Sequence, residues 1–134
     1  MRRRSLLALV ALAVTLVACG STSPASARTL DIRGTWAVMT VANGVQYPQT
    51  IHITTEDPST GKFSGDDVGS GLTFTVTGTM SGSKATFVTT EVGGAYTAHD
   101  TATITPAANG SRMTMKGTFH DSNNTSGTFT GTRT

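Results

Sequence analysis

The stretch LTFTVTGTM, residues 72–80, alternates apolar and polar side chains along most of its length. Its apolar positions are Leu72, Phe74, Val76 and Met80, and its threonines at 73, 75, 77 and 79 lie on the other face. A period of two is typical of a β-strand with one face buried and the other in water. Threonine suits the wet face because it is β-branched and still polar. The same alternation returns in SRMTMKGTFH (residues 111–120) and GTFTGTRT (residues 127–134), and no segment after residue 33 has helical periodicity. The chain is therefore predicted to be all-β.

Turn signals divide the chain at even intervals. They are Asn43-Gly44, Pro58 to Gly61, Gly69 to Gly71, Ser81-Gly82, Gly93-Gly94, Asn109-Gly110 and Asn123-Asn124. Gly and Asn accept the positive φ of tight hairpins. Seven short turns predict eight antiparallel strands in an up-and-down meander, and eight twisted strands can close into a barrel without edges. An open sheet and a two-sheet sandwich are the alternatives.

The turns also predict which residues face each other. A two-residue turn at Asn109-Gly110 sets Asp100 opposite Phe119 and His99 opposite His120. The Gly93-Gly94 turn sets Phe87 opposite Asp100. A three-residue loop at 123–125 sets Phe119 opposite Phe129, Met115 opposite Arg133, and Gly117 opposite Gly131. All these registers keep the apolar residues on one face.

The segment RGTWAV, residues 33–38, resembles the G-x-W start of the lipocalin and avidin group of barrels. That family pairs this tryptophan with an arginine near the end of the last strand, and Arg133 stands at the matching place. The resemblance implies that Trp36 and Arg133 close the barrel through a cation–π contact. It also implies a small-molecule binding fold.

The amino terminus has the layout of a secretory signal, with MRRR followed by an apolar run at residues 6–18. The run is too short to span a hydrocarbon core of ~30 Å as a helix. LVAC, residues 16–19, resembles the lipobox of bacterial lipoproteins, which implies cleavage before Cys19 and a diacylglycerol, with acyl chains such as palmitate, on its thiol. An ordinary leader with a chance cysteine is the alternative.

Three parts of the chain follow from this interpretation: a signal peptide (1–18), a lipidated polar tether (19–30) and a β-barrel domain (31–134). Each buried methylene contributes ~0.8 kcal/mol, so two or more acyl chains hold a protein firmly to a membrane. We expect secretion across the cytoplasmic membrane and anchoring at the outer face of the cell membrane or in an outer membrane.

The charge of the mature chain differs from that of the precursor. The full sequence has ten Lys and Arg, eight Asp and Glu, and a net charge of +2. Loss of Arg2, Arg3 and Arg4 with the leader leaves seven basic residues and a net charge of −1. The calculated isoelectric point of 9.0 is thus a precursor value, and no nucleic-acid partner is expected.

Asp100 is the unusual residue of the predicted inner face. It alternates with Ala98 and Ala102, so its carboxylate is expected inside the barrel, where desolvation raises a carboxyl pKa. One interpretation is a polar anchor in a ligand pocket, and the other is a structural hydrogen-bond network or a water-filled lumen. The candidate ligand-binding residues are Asp100, Tyr96, Thr40, Phe87 and Phe119.

Other chemistry has little support. His99 and His120 form a candidate metal pair on the outer face, but a closed zinc site needs four ligands and two solvated histidines are the simpler interpretation. The sequence contains no G-x-S-x-G, H-E-x-x-H or phosphate-loop motif. We therefore expect neither an enzyme nor a bound cofactor.

Two functions remain open. The first is a monomeric surface lipoprotein whose barrel binds a small, partly apolar ligand. The second is a filled barrel that acts through its rim as an envelope interaction protein or an enzyme inhibitor. Antiparallel order places Trp36 and Arg133 at the tethered end, and it gathers Asp66-Asp67, Glu91 and Asp121 at the opposite, acidic mouth.

Overall fold

The structure is a computed structural model that describes residues 30–134. The predicted signal peptide and Cys19 lie outside the described residues, as does the tether up to residue 29. The strands are β1 (Gly34–Ala42), β2 (Val45–Glu56), β3 (Lys62–Gly69), β4 (Leu72–Ser81), β5 (Lys84–Glu91), β6 (Thr97–Thr105), β7 (Thr114–Asp121) and β8 (Ser126–Arg133). Within residues 30–134 the structure contains no helix that is long and apolar enough to cross a membrane.

The eight strands form one closed antiparallel barrel in the order of the sequence, with β8 paired back to β1. The predicted all-β, up-and-down barrel is confirmed, and the open sheet and the sandwich are excluded. Closure leaves no strand edge unpaired, which removes the sites at which sheets associate edge to edge.

Asn-Gly pairs make two of the tight turns, as predicted. Asn43 and Gly44 have φ of 51° and 77°, and Asn109 and Gly110 have φ of 51° and 79°. Two consecutive positive φ values define a type I′ turn, whose twist matches that of the flanking strands. The turns therefore set the registers of the ladders on either side of them.

Two of the predicted registers are confirmed. Asp100 lies opposite Phe119 in the β6–β7 ladder and opposite Phe87 in the β5–β6 ladder. His99 lies opposite His120. The carboxylate of Asp100 is thus flanked on both sides by phenylalanines of the inner face.

The predicted β7–β8 register is wrong by two residues. Phe119 lies opposite Gly127, and Met115 lies opposite Gly131. The loop lies one residue earlier than predicted, since the main-chain N–H of Asp121 donates to the carbonyl oxygen of Thr125 at 2.9 Å. The Oδ1 atom of Asp121 also accepts hydrogen bonds from the main-chain N–H groups of Asn123 (2.9 Å) and Thr125 (2.8 Å). These bonds stabilise a three-residue loop at 122–124 in place of the predicted one at 123–125.

The corrected register places a glycine opposite each large apolar side chain of β7 and β8 that faces the lumen. Gly117 lies opposite Phe129, rather than opposite Gly131 as predicted. A Cβ atom on Gly127 would lie 2.5 Å from the Phe119 ring, and one on Gly131 would lie 2.7 Å from the Met115 side chain. The glycines therefore make room for neighbouring side chains, and they are not the source of empty space in the barrel.

Trp36 closes the end of the barrel that receives the chain from the tether. Its side chain is fully buried, and Nε1 donates a hydrogen bond of 2.9 Å to the carbonyl oxygen of Ile32. Ile32 is buried as well, and its N–H donates to Glu56 Oε2 at 2.8 Å. The segment before β1 thus folds across the barrel end as a plug.

Trp36 and Arg133 are direct partners in the β1–β8 ladder, which is the seam of the barrel. The predicted cation–π contact is not among the aromatic contacts of residues 30–134. The Arg133 guanidinium instead donates from Nη1 to the main-chain oxygens of Asp31 (2.9 Å) and Arg33 (3.3 Å). Arginine has donors in a fixed fork, and here the main chain of the plug supplies the acceptors.

Candidate functional site: a cavity at the mouth of the barrel

A cavity of about 510 Å³ occupies the half of the barrel away from the plug. Its mouth is formed by residues in or next to the loops at that end, among them Asn43, Ser70, Glu91 and Asn123. The volume falls within the range of about 300–1,000 Å³ that is usual for small-molecule sites.

The closed half is filled. The second void measures about 10 Å³, and Ile51 and Phe87 line both this void and the large cavity. These two side chains therefore form the floor of the cavity. Below them lie Trp36, Ile53, Phe63, Val76 and other members of one buried apolar cluster.

All five candidate ligand-binding residues lie in the wall of this one cavity: Thr40, Phe87, Tyr96, Asp100 and Phe119. They come from β1, β5, β6, β7 and the loop before β6. Thr40 donates a hydrogen bond of 2.6 Å to Gln49 Oε1, which also lines the cavity. Alternation along the strands predicted inward positions for Thr40, Phe87, Asp100 and Phe119, and whether this set binds a ligand stays a prediction.

Aromatic rings supply much of the apolar wall. Phe87 contacts Phe63 and Phe129 edge to face, each at 6.0 Å between ring centroids. Phe74 contacts Tyr96 in the same way at 5.8 Å. Such pairs add about 0.5–1.5 kcal/mol beyond their buried area, so they stabilise the apolar wall.

Asp100 stands among these rings with one hydrogen-bond donor. Thr89 Oγ1 donates to Asp100 Oδ2 at 3.0 Å. Burial raises the pKa of Asp100 to about 6, although the bond from Thr89 acts in the opposite direction. The carboxyl group of Asp100 lacks a cationic partner among the described residues.

Asp67 is a second inward carboxylate, and sequence reasoning missed it. It is 3% exposed, and its Oδ1 atom has no hydrogen-bond partner. Burial, and then the charges of Asp100 and Asp66, raise the pKa of Asp67 to about 7. The charge of Asp100 thus opposes ionisation of Asp67.

A signal for Asp67 was present in the sequence. Phe63 is an inward residue, and alternation from it through Gly65 leads to Asp67. The prediction treated Asp66-Asp67 together as an acidic mouth feature. In the structure both residues belong to β3, and only Asp67 lines the cavity.

Asp121 and Tyr96 lie nearer the rim. Asp121 is buried and holds the β7–β8 loop through the two bonds described above. Burial, followed by the charge of Asp121, raises the pKa of Tyr96 to about 12. The tyrosine hydroxyl therefore stays protonated at neutral pH and can donate a hydrogen bond.

The cavity wall contains carboxylates but no Lys, Arg or His among the described residues. Its acidic members are Asp67, Glu91, Asp100 and Asp121. Arg133 lies at the plugged end with Asp31 and Arg33. The predicted separation of an acidic mouth from the arginine end is confirmed.

His99 and His120 face each other on the outer, exposed surface, as predicted. His120 Nδ1 shares a hydrogen bond of 2.9 Å with Ser126 Oγ. Among residues 30–134 no group of three His, Cys, Asp or Glu side chains is placed to hold a metal ion. The described residues therefore supply no third ligand beside His99 and His120.

The raised pKa of Asp67 predicts how stability depends on pH. The unfolded chain, with an ordinary Asp pKa of about 3.9, releases this proton before the folded protein does, so the free energy of unfolding falls as pH rises through that interval to about 7. Between pH 5 and pH 8 we expect the titration of Asp67 to lower the free energy of unfolding by about 2–3 kcal/mol. Asp67→Asn should remove this part of the slope, as measured by urea unfolding at both pH values.

Asp66→Asn is the matched control, since it removes the same charge one residue away on the outer face. It should keep most of the pH slope of the wild-type protein. Equal slopes in the wild-type and Asp67→Asn proteins would contradict the assignment of a buried, hard-to-ionise carboxyl to Asp67. The ionisable groups that share its surroundings are Tyr47, Asp66, Glu91, Tyr96, Asp100 and Asp121.

Comparisons of the chain with protein-family models, with curated proteins and with solved structures found no significant match.

Proposed function

We propose that this protein is a lipid-anchored, extracytoplasmic lipoprotein whose lipocalin-like barrel binds a small, partly apolar ligand. The observation that carries the proposal is the cavity of about 510 Å³, closed below by Ile51 and Phe87 and open at one end. An eight-stranded barrel is just wide enough either to be filled by its own side chains or to hold one small ligand. In this barrel, side chains fill the plugged half, and the other half has room for one small ligand.

The chemistry of the wall supports a ligand with two parts. Phe74, Phe87, Phe119 and Phe129 offer apolar surface, whereas Thr40, Gln49, Thr89 and Tyr96 offer hydroxyl and amide groups. A largely apolar pocket with a few convergent polar groups is the usual form of a small-molecule site. The rim-acting alternative, as an inhibitor or interaction protein, was linked to a filled barrel, and the cavity favours ligand binding over it.

The lipid anchor rests on the LVAC segment and on the polar tether that follows it, both of which precede the described residues. The tether joins the barrel at its plugged end, beside Ile32 and Trp36. Lys62, Lys84 and Arg112 lie in or next to the turns of that same end. We expect this end to face the anionic membrane, where each nearby Lys or Arg contributes ~1 kcal/mol, and the open mouth to face away.

Native mass spectrometry of the protein purified from its own host tests ligand binding. We expect a population whose mass exceeds that of the lipidated chain by one small molecule, which collisional activation releases. Protein of unmodified mass, together with no ligand recovered by solvent extraction, would count against the proposal.

A further inference from the structure

We propose that the cavity binds a protonated organic amine, with the ammonium group at Asp67 and Asp100 and an apolar body against the aromatic wall. This inference rests on the proposed ligand-binding function and names the class of ligand. It is carried by a buried acceptor without a donor, by the charges around it, and by the side chains on either side of it.

The buried acceptor is the Oδ1 atom of Asp67. Only 3% of the surface of Asp67 is exposed, and yet its Oδ1 atom receives no hydrogen bond. A buried polar group without a partner costs about 1–3 kcal/mol, and more if it is charged. Asp67 lines the cavity, so a ligand that draws its carboxyl group toward the lumen would supply the missing donor.

The charges of the cavity specify the kind of donor. Asp100 accepts a neutral hydrogen bond from Thr89, and Asp121 accepts main-chain N–H groups. No Lys, Arg or His of the described residues lines the cavity to neutralise these carboxylates. Charged groups of one sign within low-dielectric walls concentrate ligands of the opposite sign, so the cavity favours a cation and disfavours an anion.

The side chains that flank the two carboxylates specify the rest of the ligand. Asp67 lies opposite Phe74 in the β3–β4 ladder, and Asp100 lies between Phe87 and Phe119. Aromatic faces attract ammonium groups within about 6 Å of the ring centroid and also bury hydrocarbon. A cationic nitrogen attached to an apolar body satisfies both the carboxylates and the rings.

A bare metal ion fits the cavity less well. The described residues do not bring three acidic or histidine side chains into one coordination group, whereas hard cations such as Ca²⁺ take six to eight oxygen ligands. The cavity of about 510 Å³ is also far larger than an ion. An organic ammonium needs one or two carboxylates and fills the remaining space with its own carbon atoms.

A matched series of three compounds tests the inference by isothermal titration at pH 8: 4-phenylbutylamine, 4-phenylbutanol and 4-phenylbutyrate. They share one apolar body and carry a positive, a neutral and a negative head. We expect the amine to bind at least about tenfold more tightly than the alcohol, a difference of about 1.4 kcal/mol. The butyrate should bind more weakly than the alcohol.

Variants link the preference to the named carboxylates. Asp67→Asn and Asp100→Asn should each weaken amine binding about tenfold and change alcohol binding less than about twofold. Asp66→Asn, which removes a charge outside the cavity, should leave both affinities within about twofold of the wild-type values. Lowering the pH to 5 protonates Asp67 and Asp100, while the amine stays charged, so the preference for the amine should shrink.

Equal binding of the amine and the alcohol, unaffected by Asp67→Asn, would overturn the amine proposal and leave a ligand-binding barrel in place. Tighter binding of the butyrate than of the amine would overturn it as well. Loss of amine binding in Asp66→Asn to the same extent as in Asp67→Asn would show a general charge effect and would also contradict a site at Asp67.

Discussion

Replacing Trp36 with alanine is expected to lower the free energy of unfolding by about 3–5 kcal/mol, the usual range for a buried aromatic side chain. The indole is fully buried at the closed end, and the substitution also leaves the carbonyl oxygen of Ile32 without its donor. Because typical domains are stable by only about 5–15 kcal/mol, this one change should bring the barrel close to unfolding.

Urea unfolding followed by far-ultraviolet circular dichroism provides the measurement, since Trp36 is the only tryptophan and its fluorescence is lost in the variant. Met39→Ala is the control on the same strand. Met39 lies on the outer face, 36% exposed, and its truncation should cost less than about 1 kcal/mol. A Trp36→Ala variant as stable as Met39→Ala would mean that the indole does not plug the barrel.

Replacing Cys19 with alanine is expected to abolish lipidation, and with it either the processing of the precursor or the anchoring of the mature domain. The thiol is the predicted acceptor of the diacylglycerol, and without acyl chains the mature domain has nothing equivalent to their binding energy of ~0.8 kcal/mol per buried methylene. The variant should accumulate as an uncut precursor or appear in the soluble fraction, as determined by fractionation and intact mass.

Ser21→Ala is the matched control because it changes a small residue just after the predicted cleavage site. It should be cut, lipidated and recovered with membranes as the wild-type protein is. A Cys19→Ala protein that is still cut before residue 19 and still fractionates with membranes would exclude Cys19 as the anchor.

The fold was largely predictable because local turn chemistry and strand periodicity agree. Asn43-Gly44 and Asn109-Gly110 adopt the positive φ values that their residue types favour. The β6–β7 register followed directly from the second of these turns. The β7–β8 register was not predictable in this way, because the side chain of Asp121 closes its loop, and turn length alone does not show such a bond.

The site was predictable in part. Asp100 stood out because it alternates with alanines on the inner face. Asp67 was missed because it follows Gly65 and Asp66. Neither residue is a large apolar one that would show which side chains of this strand face the lumen. A β-bulge between Ile53 and Thr55 of the adjacent strand further obscures the register there.

The size of the cavity could not be derived from the sequence. Small inward residues can leave space or accept a neighbouring ring, and packing decides between the two. Gly78 illustrates this, because a Cβ atom there would lie 2.6 Å from the Phe63 ring. The space arises instead above Phe87, where short side chains such as Thr89 and Ala98 line the wall.

The central claim is that the ligand enters this cavity, and a cavity-filling substitution tests it most directly. Ala98 is buried in the cavity wall, so Ala98→Phe places a ring in the lumen, whereas His99→Phe places the same ring on the outer face. The measurement is a fluorescence titration with N-phenyl-1-naphthylamine, which is uncharged at neutral pH and fluoresces in apolar surroundings. We expect saturable binding of one molecule per wild-type barrel, weakened at least about tenfold by Ala98→Phe and within about twofold of wild type for His99→Phe. Folded Ala98→Phe protein that binds the probe as tightly as the wild-type barrel would contradict the account.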